Sequence, residues 1–248
     1  MDFSKISYRS TLGRLIRLPL RLLPKGTVLP IMQGSLRGKK WIVGAGEHGY
    51  WLGSYELQKR LAFEREITPG MVVYDIGANV GFYSLLAAHL TGPEGKVYAF
   101  EPVSRNVEYI RRHIALNGCE NVQVLEAAVA QQSGEAFFDL GASIATGHLS
   151  QTGTVKVRQV CLDELLAEGE ILPPDTIKID VEGAEFAVVQ GAKRLIEVHR
   201  PLIFLDTHGR EAHTATLGFL REYGYQFEAL DGRPLAEAKD LLARPPVE

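Results

Sequence analysis

Residues 71–84, MVVYDIGANVGFYS, constrain the fold more than any other stretch of the chain. Met71 to Tyr74 is apolar and β-branched, the pattern of a buried strand. Asp75-Ile76-Gly77-Ala78-Asn79-Val80-Gly81 then places small residues where a strand must turn sharply into a helix. Phe82 to Leu90 continues with helical apolar spacing. Glycines at 77 and 81 let the backbone bend and let a ligand come close. The free N–H groups of the new helix end would face that ligand. Asp75 adds a fixed negative charge at the strand tip.

That charge discriminates between ligands. A pyrophosphate-binding turn reads G-x-G-x-x-G. Here the spacing is G-x-x-x-G, and a carboxylate stands where it would repel phosphate. A ligand with hydroxyls, an amine and a sulfonium suits the turn, and S-adenosylmethionine is one. Gly44-x-Gly46-x-x-Gly49 imitates the dinucleotide spacing, but no βαβ pattern surrounds it.

Strands and helices alternate beyond this point. Strands are expected at 96–101, 122–127, 176–180, 202–206 and 225–230, with helices at 103–117, 184–198 and 212–223. Residues 135–140 and 154–160 read as strands flanking a polar loop, and 162–168 as a short helix. Asp240 to Arg244 fits a last antiparallel edge strand or a helix end. Upstream, 27–43 suggests two strands around Gly34 to Gly38, and Ser54 can cap a helix over 55–66. Alternation of this kind gives a doubly wound α/β fold with a mostly parallel sheet. Residues 1–54 form a basic, strand-rich extension, and 55–248 the ligand-binding domain.

The 248 residues, 46% hydrophobic and 23% charged, describe a soluble globular protein, expected in the cytoplasm. No apolar run reaches the ~18 residues a membrane span needs. Cys119 and Cys161 are too few and too far apart for a zinc site. Residues 1–40 carry nine Lys and Arg against one Asp. That head, with its amphipathic stretch at 10–23, could touch anionic lipid weakly. The acidic remainder argues against a nucleic acid substrate.

Ligands of such sheets bind beyond the carboxyl ends of the strands. The expected tips are Asp75, Glu101, Glu126, Asp180 and Asp206, and all five are acidic. Glu101 follows the first turn at the roughly 20-residue spacing of a ribose-binding acid. Glu126 or Ala127 would border the base of the nucleoside. Asp180 would lie next to the reacting carbon. The stretch DTIKIDVEGAE (175–185) crowds Lys178, Asp180, Glu182 and Glu185 around one turn; Asp180 and Glu182 read as site-lining, Glu185 equally as a helix start. Alternation would send Asp206 and His208 to the same side. His208 could then take a proton, its ring oriented by Asp206 or Asp180. His148 is a weaker candidate. A second version has Asp180 and Asp206 hold a divalent cation. The metal-free version is preferred, because a magnesium site usually recruits more oxygen ligands.

VVYDIGANVGFYS (72–84), AFEPVSRN (99–106), NVQVLEAAVA (121–130) and IKIDVEGAEFAVVQGA (177–192) together resemble FkbM-type S-adenosylmethionine-dependent methyltransferases. The resemblance implies a class I, Rossmann-like fold with seven strands. It also implies methyl transfer to a hydroxyl oxygen of a sugar, glycan or natural product. Asp75, Gly77, Asn79, Gly81 and Glu101 match the family's cofactor motifs, with Ala78 between them; Asp180 and Glu182 match its K-x-D-V-E-G-x-E motif. Where similar proteins often end the fifth strand in glutamate, this chain has Asp206-Thr207-His208. Competing readings are a nicotinamide-dependent oxidoreductase and a non-catalytic binding module. No Asn/Asp-Pro-Pro-aromatic follows the fourth strand, which disfavours a nucleic-acid N-methyltransferase.

Overall fold

The computed structural model describes residues 23–139, 148–149 and 155–246. The basic stretch at 10–22 and the polar loop before His148 lie outside them. The chain runs β1 (Val28–Pro30), β2 (Lys40–Ile42), α1 (His48–Leu52), α2 (Leu57–Glu66), β3 (Val72–Ile76), α3 (Phe82–Thr91), β4 (Lys96–Phe100), α4 (Ser104–Asn117) and β5 (Val122–Leu125). It continues through β6 (Ala128–Val129), β7 (Gly134–Asp139), β8 (His148–Leu149), β9 (Val155–Val160), α5 (Leu162–Ala167) and β10 (Thr176–Ile179). It then adds α6 (Glu185–Gln190), α7 (Lys193–His199), β11 (Leu202–Asp206), α8 (Arg210–Glu222), β12 (Gln226–Ala229) and β13 (Asp240–Arg244).

Seven strands form the main sheet in the order β12-β13-β11-β10-β3-β4-β5. The five from β11 to β5 are parallel, and β13 is antiparallel to both its neighbours. The chain steps outward from β3 through β4 to β5, then returns to β10 on the other side of β3. That reversal opens the crevice where ligands of such sheets bind.

Strand alternation sorts the side chains into two layers. Tyr74, Ile76, Phe100, Ile177, Ile179, Ile203 and Leu205 pack with α5 to α8. Val73, Val97, Phe204 and Leu242 pack with α2, α3 and the extension. Trp41, Ile42 and Trp51 of the extension are buried in this second layer, and each large apolar side chain buried there contributes on the order of 1.5–3 kcal/mol. Trp41 stacks on His113 at 3.8 Å, and the Ile42 N–H donates to His113 Nε2 at 3.2 Å. Contacts therefore cross the expected boundary at residue 54.

Four expectations need correction. The tail strand is not at the edge: β13 lies inside β12, so β12 is the edge. The helix expected over 184–198 is two helices: the Gly191 carbonyl accepts from the Asp163 N–H, and the Asp163 carboxylate accepts from the Arg194 and Leu195 N–H groups, both at 2.8 Å, at the start of α7. The strand expected over 122–127 stops at Leu125; Ala128–Val129 joins a separate four-stranded sheet, β6-β9-β7-β8. Ser54 caps nothing, since α2 begins at Leu57 behind Glu56, which sits at φ 40°.

Candidate active site

A cavity of about 340 Å³ opens over the carboxyl ends of β3, β4, β10 and β11. Its size is at the small end of the usual ligand range of roughly 300–1,000 Å³. Two turns build its floor. The β3–α3 turn and the turn after β10 touch: a Cβ on Gly77, at φ 75°, would lie 1.8 Å from the Asp180 carbonyl oxygen. Only glycine lets the two motifs meet.

On one side stand Asn79, Glu101, Ala127 and Ala128. Glu101 accepts from the Asn79 N–H (2.8 Å), the Val103 N–H (3.1 Å) and Asn106 Nδ2 (3.1 Å). Burial still pushes its carboxyl up to about 7. The N–H groups of the turn itself are used internally: those of Gly77 and Ala78 both donate to the Phe100 carbonyl, and that of Gly81 to the Ala78 carbonyl. The turn therefore presents side chains and not a nest of donors. Asn79 Oδ1 is buried without a partner. An acceptor there and a carboxylate beside it suit a ligand rich in hydroxyl and amine donors, and S-adenosylmethionine fits that demand. Glu101 would hold its ribose, and Ala127 with Ala128 its base. Glu101→Ala should weaken cofactor binding by ~10- to 100-fold in calorimetry, as a buried ribose loses charge-assisted bonds. Unchanged affinity would remove Glu101 from the site.

On the other side, Asp180, Glu182 and His208 meet. His208 Nδ1 lies 2.9 Å from Glu185 Oε1, a fully buried carboxylate that also accepts from the Gly183 N–H. Glu185 thereby holds the proton on Nδ1 and leaves Nε2 as the basic nitrogen. Nε2 faces Glu182 Oε2 at 3.6 Å and Asp180 Oδ1 at 4.0 Å. The Glu185 bond, opposed by burial and helped by Glu182 and Asp180, raises the His208 pKa above its ordinary value. Glu182 adopts φ 50°, in the left-handed region that L side chains enter at a cost. Asp180, Glu182 and His208 also bring ligand atoms within 4.8 Å of one another.

Other expected residues stand outside the cavity or in another role. Asp75 does not line the cavity; it is buried, accepts from Ser84 Oγ at 2.6 Å and faces Lys178 Nζ at 3.3 Å. The parallel register sets Asp75 beside Lys178, so its charge is met within the sheet. Asp206 lines the cavity but does not orient His208. β11 ends at Asp206, alternation lapses there, and Lys59 Nζ takes its carboxylate at 2.5 Å. Gly81 lies behind the turn as the residue preceding α3, and buried Ala78 is beside it. Glu126 points away, bonded to Ser104 Oγ, and leaves Ala127 on the wall. His148 lies on β8 in the separate sheet.

Sequence reasoning missed Glu185 as the partner of His208, and missed Lys59 altogether. Lys59 is buried beneath the cavity and reaches Glu56 (2.6 Å), Asp206 (2.5 Å) and Asp240 (3.4 Å). Its position on α2, a polar helix with no strong apolar stripe, carries no signal. An i, i+3 pairing with Glu56 was the one visible hint.

A seven-stranded sheet with this crossover and this cavity defines the class I methyltransferase fold. A solved FkbM methyltransferase from Methylobacillus flagellatus shares it at a TM-score of 0.50 and 17% identity, over 81% of this chain and 56% of that one. Hexuronic acid methyltransferase AglP of Haloferax volcanii is 26% identical over 51% of the chain and 52% of its own length. The 2-O-methyltransferase NoeI of Sinorhizobium fredii is 26% identical over 60% of the chain and 68% of its own. The chain thus spans about half the length of the archaeal relative. The methyltransferase FkbM domain matches residues 75–227, and the chain belongs to that family. S-adenosylmethionine is the cofactor of this class, which sets aside the nicotinamide reading.

Proposed function

We propose that the chain methylates a hydroxyl oxygen of a sugar or of a sugar-like natural product, with His208 as general base. The observation that carries this reading is the His208–Glu185 pair, with Nε2 directed into the cavity that Glu101 also lines. The two relatives, named for a hexuronic acid and for a 2-O position, support an oxygen of a saccharide as acceptor. When bound, S-adenosylmethionine supplies an electrophilic methyl group on a positively charged sulfur. Asp180 and Glu182 keep the local field negative beside that charge. His208 Nε2 removes the hydroxyl proton, and Glu185 stabilises the imidazolium that results. Positioning of the acceptor supplies the larger share of rate, on the order of 7–11 kcal/mol in favourable cases. The base adds ~10²–10⁴-fold.

The test is a screen of glycosides and hydroxylated metabolites with labelled cofactor, read by mass spectrometry. Methylated oxygen is the expected product; methylation at nitrogen or carbon would overturn the reading. EDTA should leave turnover unchanged. Loss in EDTA restored by magnesium would place a cation on Asp180, Glu182 and His208, the last then being a ligand and not a base.

The basic head is proposed to give peripheral contact with anionic membranes. Among the described residues no helix is long and apolar enough to cross a membrane. Full-length protein should sediment with anionic vesicles at low salt and release as salt rises. Removal of residues 1–24 should end sedimentation and keep cofactor binding. Indifference of the full chain to the vesicles would refute the contact.

A further inference from the structure

A second cavity of about 760 Å³ lies between α8 and the segment joining β12 to β13. Its walls carry Arg210, Arg221 and Lys239 against a single acid, Glu237. It adjoins the active cavity, since Lys239 lines both. The Thr207 N–H donates to the Lys239 carbonyl at 3.0 Å, so Lys239 stands beside the residue that precedes His208. From His208 the chain runs through Gly209 directly to Arg210.

The charges on the two sides are handled differently. Of the acids at the base end of the active cavity, Glu56, Asp206 and Asp240 share Lys59, Asp180 has Lys178, and Glu182 faces His208 Nε2. Asp231 is paired with Arg233 at 3.6 Å. Arg210 and Lys239 form no ion pair with an acid among the described residues, and Arg221 lies over the Phe227 ring at 5.4 Å. The segment that carries Lys239 is also held in place. Asp231 accepts from the backbone N–H of Arg233 at 3.1 Å and of Lys239 at 2.9 Å. A cationic cleft next to a proton acceptor suits a substrate that bears an anion near its reacting hydroxyl.

We infer that the acceptor is an anionic saccharide, whose carboxylate or phosphate sits in the cleft formed by Arg210, Arg221 and Lys239 while its hydroxyl meets His208. This rests on the O-methyl transfer reading and narrows its substrate class. Carboxylate and phosphate share the chemistry that the cleft would read.

The experiment offers the full chain three acceptors with labelled cofactor: a methyl hexopyranoside, the matching methyl uronoside, and the matching hexose phosphate. Wild-type kcat/KM should favour at least one anionic acceptor over the neutral one by at least tenfold. Raising salt should raise KM for that acceptor and reduce the preference. In Arg210→Ala and in Lys239→Glu the ratio of anionic to neutral kcat/KM should fall at least tenfold, with cofactor affinity held by calorimetry as a folding control. A preference for the uronoside identifies a carboxylate as the anion, and one for the hexose phosphate a phosphate; both support the inference. Equal or better turnover of the neutral hexoside overturns the inference and leaves methyl transfer intact. Variants that keep the wild-type ratio also overturn it. Methylation of none of the three, with cofactor bound, overturns the inference, while the O-methyl reading stands or falls by the wider screen.

Discussion

His208→Ala should lower turnover by ~10²–10⁴-fold while cofactor affinity stays within twofold of wild type. The direction follows from geometry, since His208 stands at the acid-lined end of the cavity and contacts none of the residues around Glu101. The pH profile separates catalysis from structure. The base works when neutral, and its pKa is raised by the Glu185 bond, so kcat/KM should fall as pH drops through that raised value. Glu185→Gln keeps the shape and an acceptor for the Gly183 N–H but removes the charge. Its profile should move to lower pH, and its plateau should drop. A merely structural Glu185 would change yield or melting temperature and leave the profile where it was. Full turnover in His208→Ala would remove the base altogether.

Lys59→Ala should cost about 3–5 kcal/mol of stability, the usual effect of stranding the partners of a buried cation. The lysine is 2% exposed, and Asp206 at 2.5 Å is 6% exposed. Burial opposes the charge on Lys59, yet Asp206, Tyr83 and Glu56 hold its pKa well above the usual value. Burial also drives the Asp206 carboxyl well above its ordinary range, even with the lysine present. Without Lys59, Asp206 would need its proton more. A group with a raised folded pKa stabilises below its unfolded value and loses that contribution as pH rises through the folded one. The deficit of the variant should therefore grow from acid toward neutral pH. Urea midpoints of variant and wild type at pH 5 and pH 8 check this. A deficit under 1 kcal/mol at pH 8 would show that water reaches the cluster.

Much of the fold was legible because its signals are local. The apolar run 72–76, the small residues of the turn and the spacing of α4 each state their structure within a short window. The limits of legibility are equally physical. The place of β13 depends on a strand made later in the chain slipping between two made earlier, and nothing near Asp240 records it. The break between α6 and α7 is held by Asp163, which is remote in sequence. At the site, the acidic tips were visible as a group, but their directions were not. Asp75 was misread because its neutralising partner, Lys178, lies on another strand. Asp206 was misread because alternation was carried two residues past the end of β11, to His208. Glu185 looked like an ordinary acid in a first helical turn. Only the approach of the β11–α8 segment makes it a partner for an imidazole.

The contacts between α2 and β13 span almost the whole described chain. Lys59 reaches Asp240 across 181 residues, and Arg244 grips Glu66 with two bonds across 178. The residues around Glu101, by contrast, come from a contiguous stretch between β3 and β6. Contacts of great sequence separation form late, because the intervening chain must be ordered first. Biosynthesis therefore orders the two halves of the cavity in time. The nucleoside-binding half can assemble on a growing chain, while the half that meets the acceptor waits for β13 to slide between β11 and β12. Pulse-labelled hydrogen exchange during refolding reads this order directly, with amides of β3 and β4 protected before those of β13.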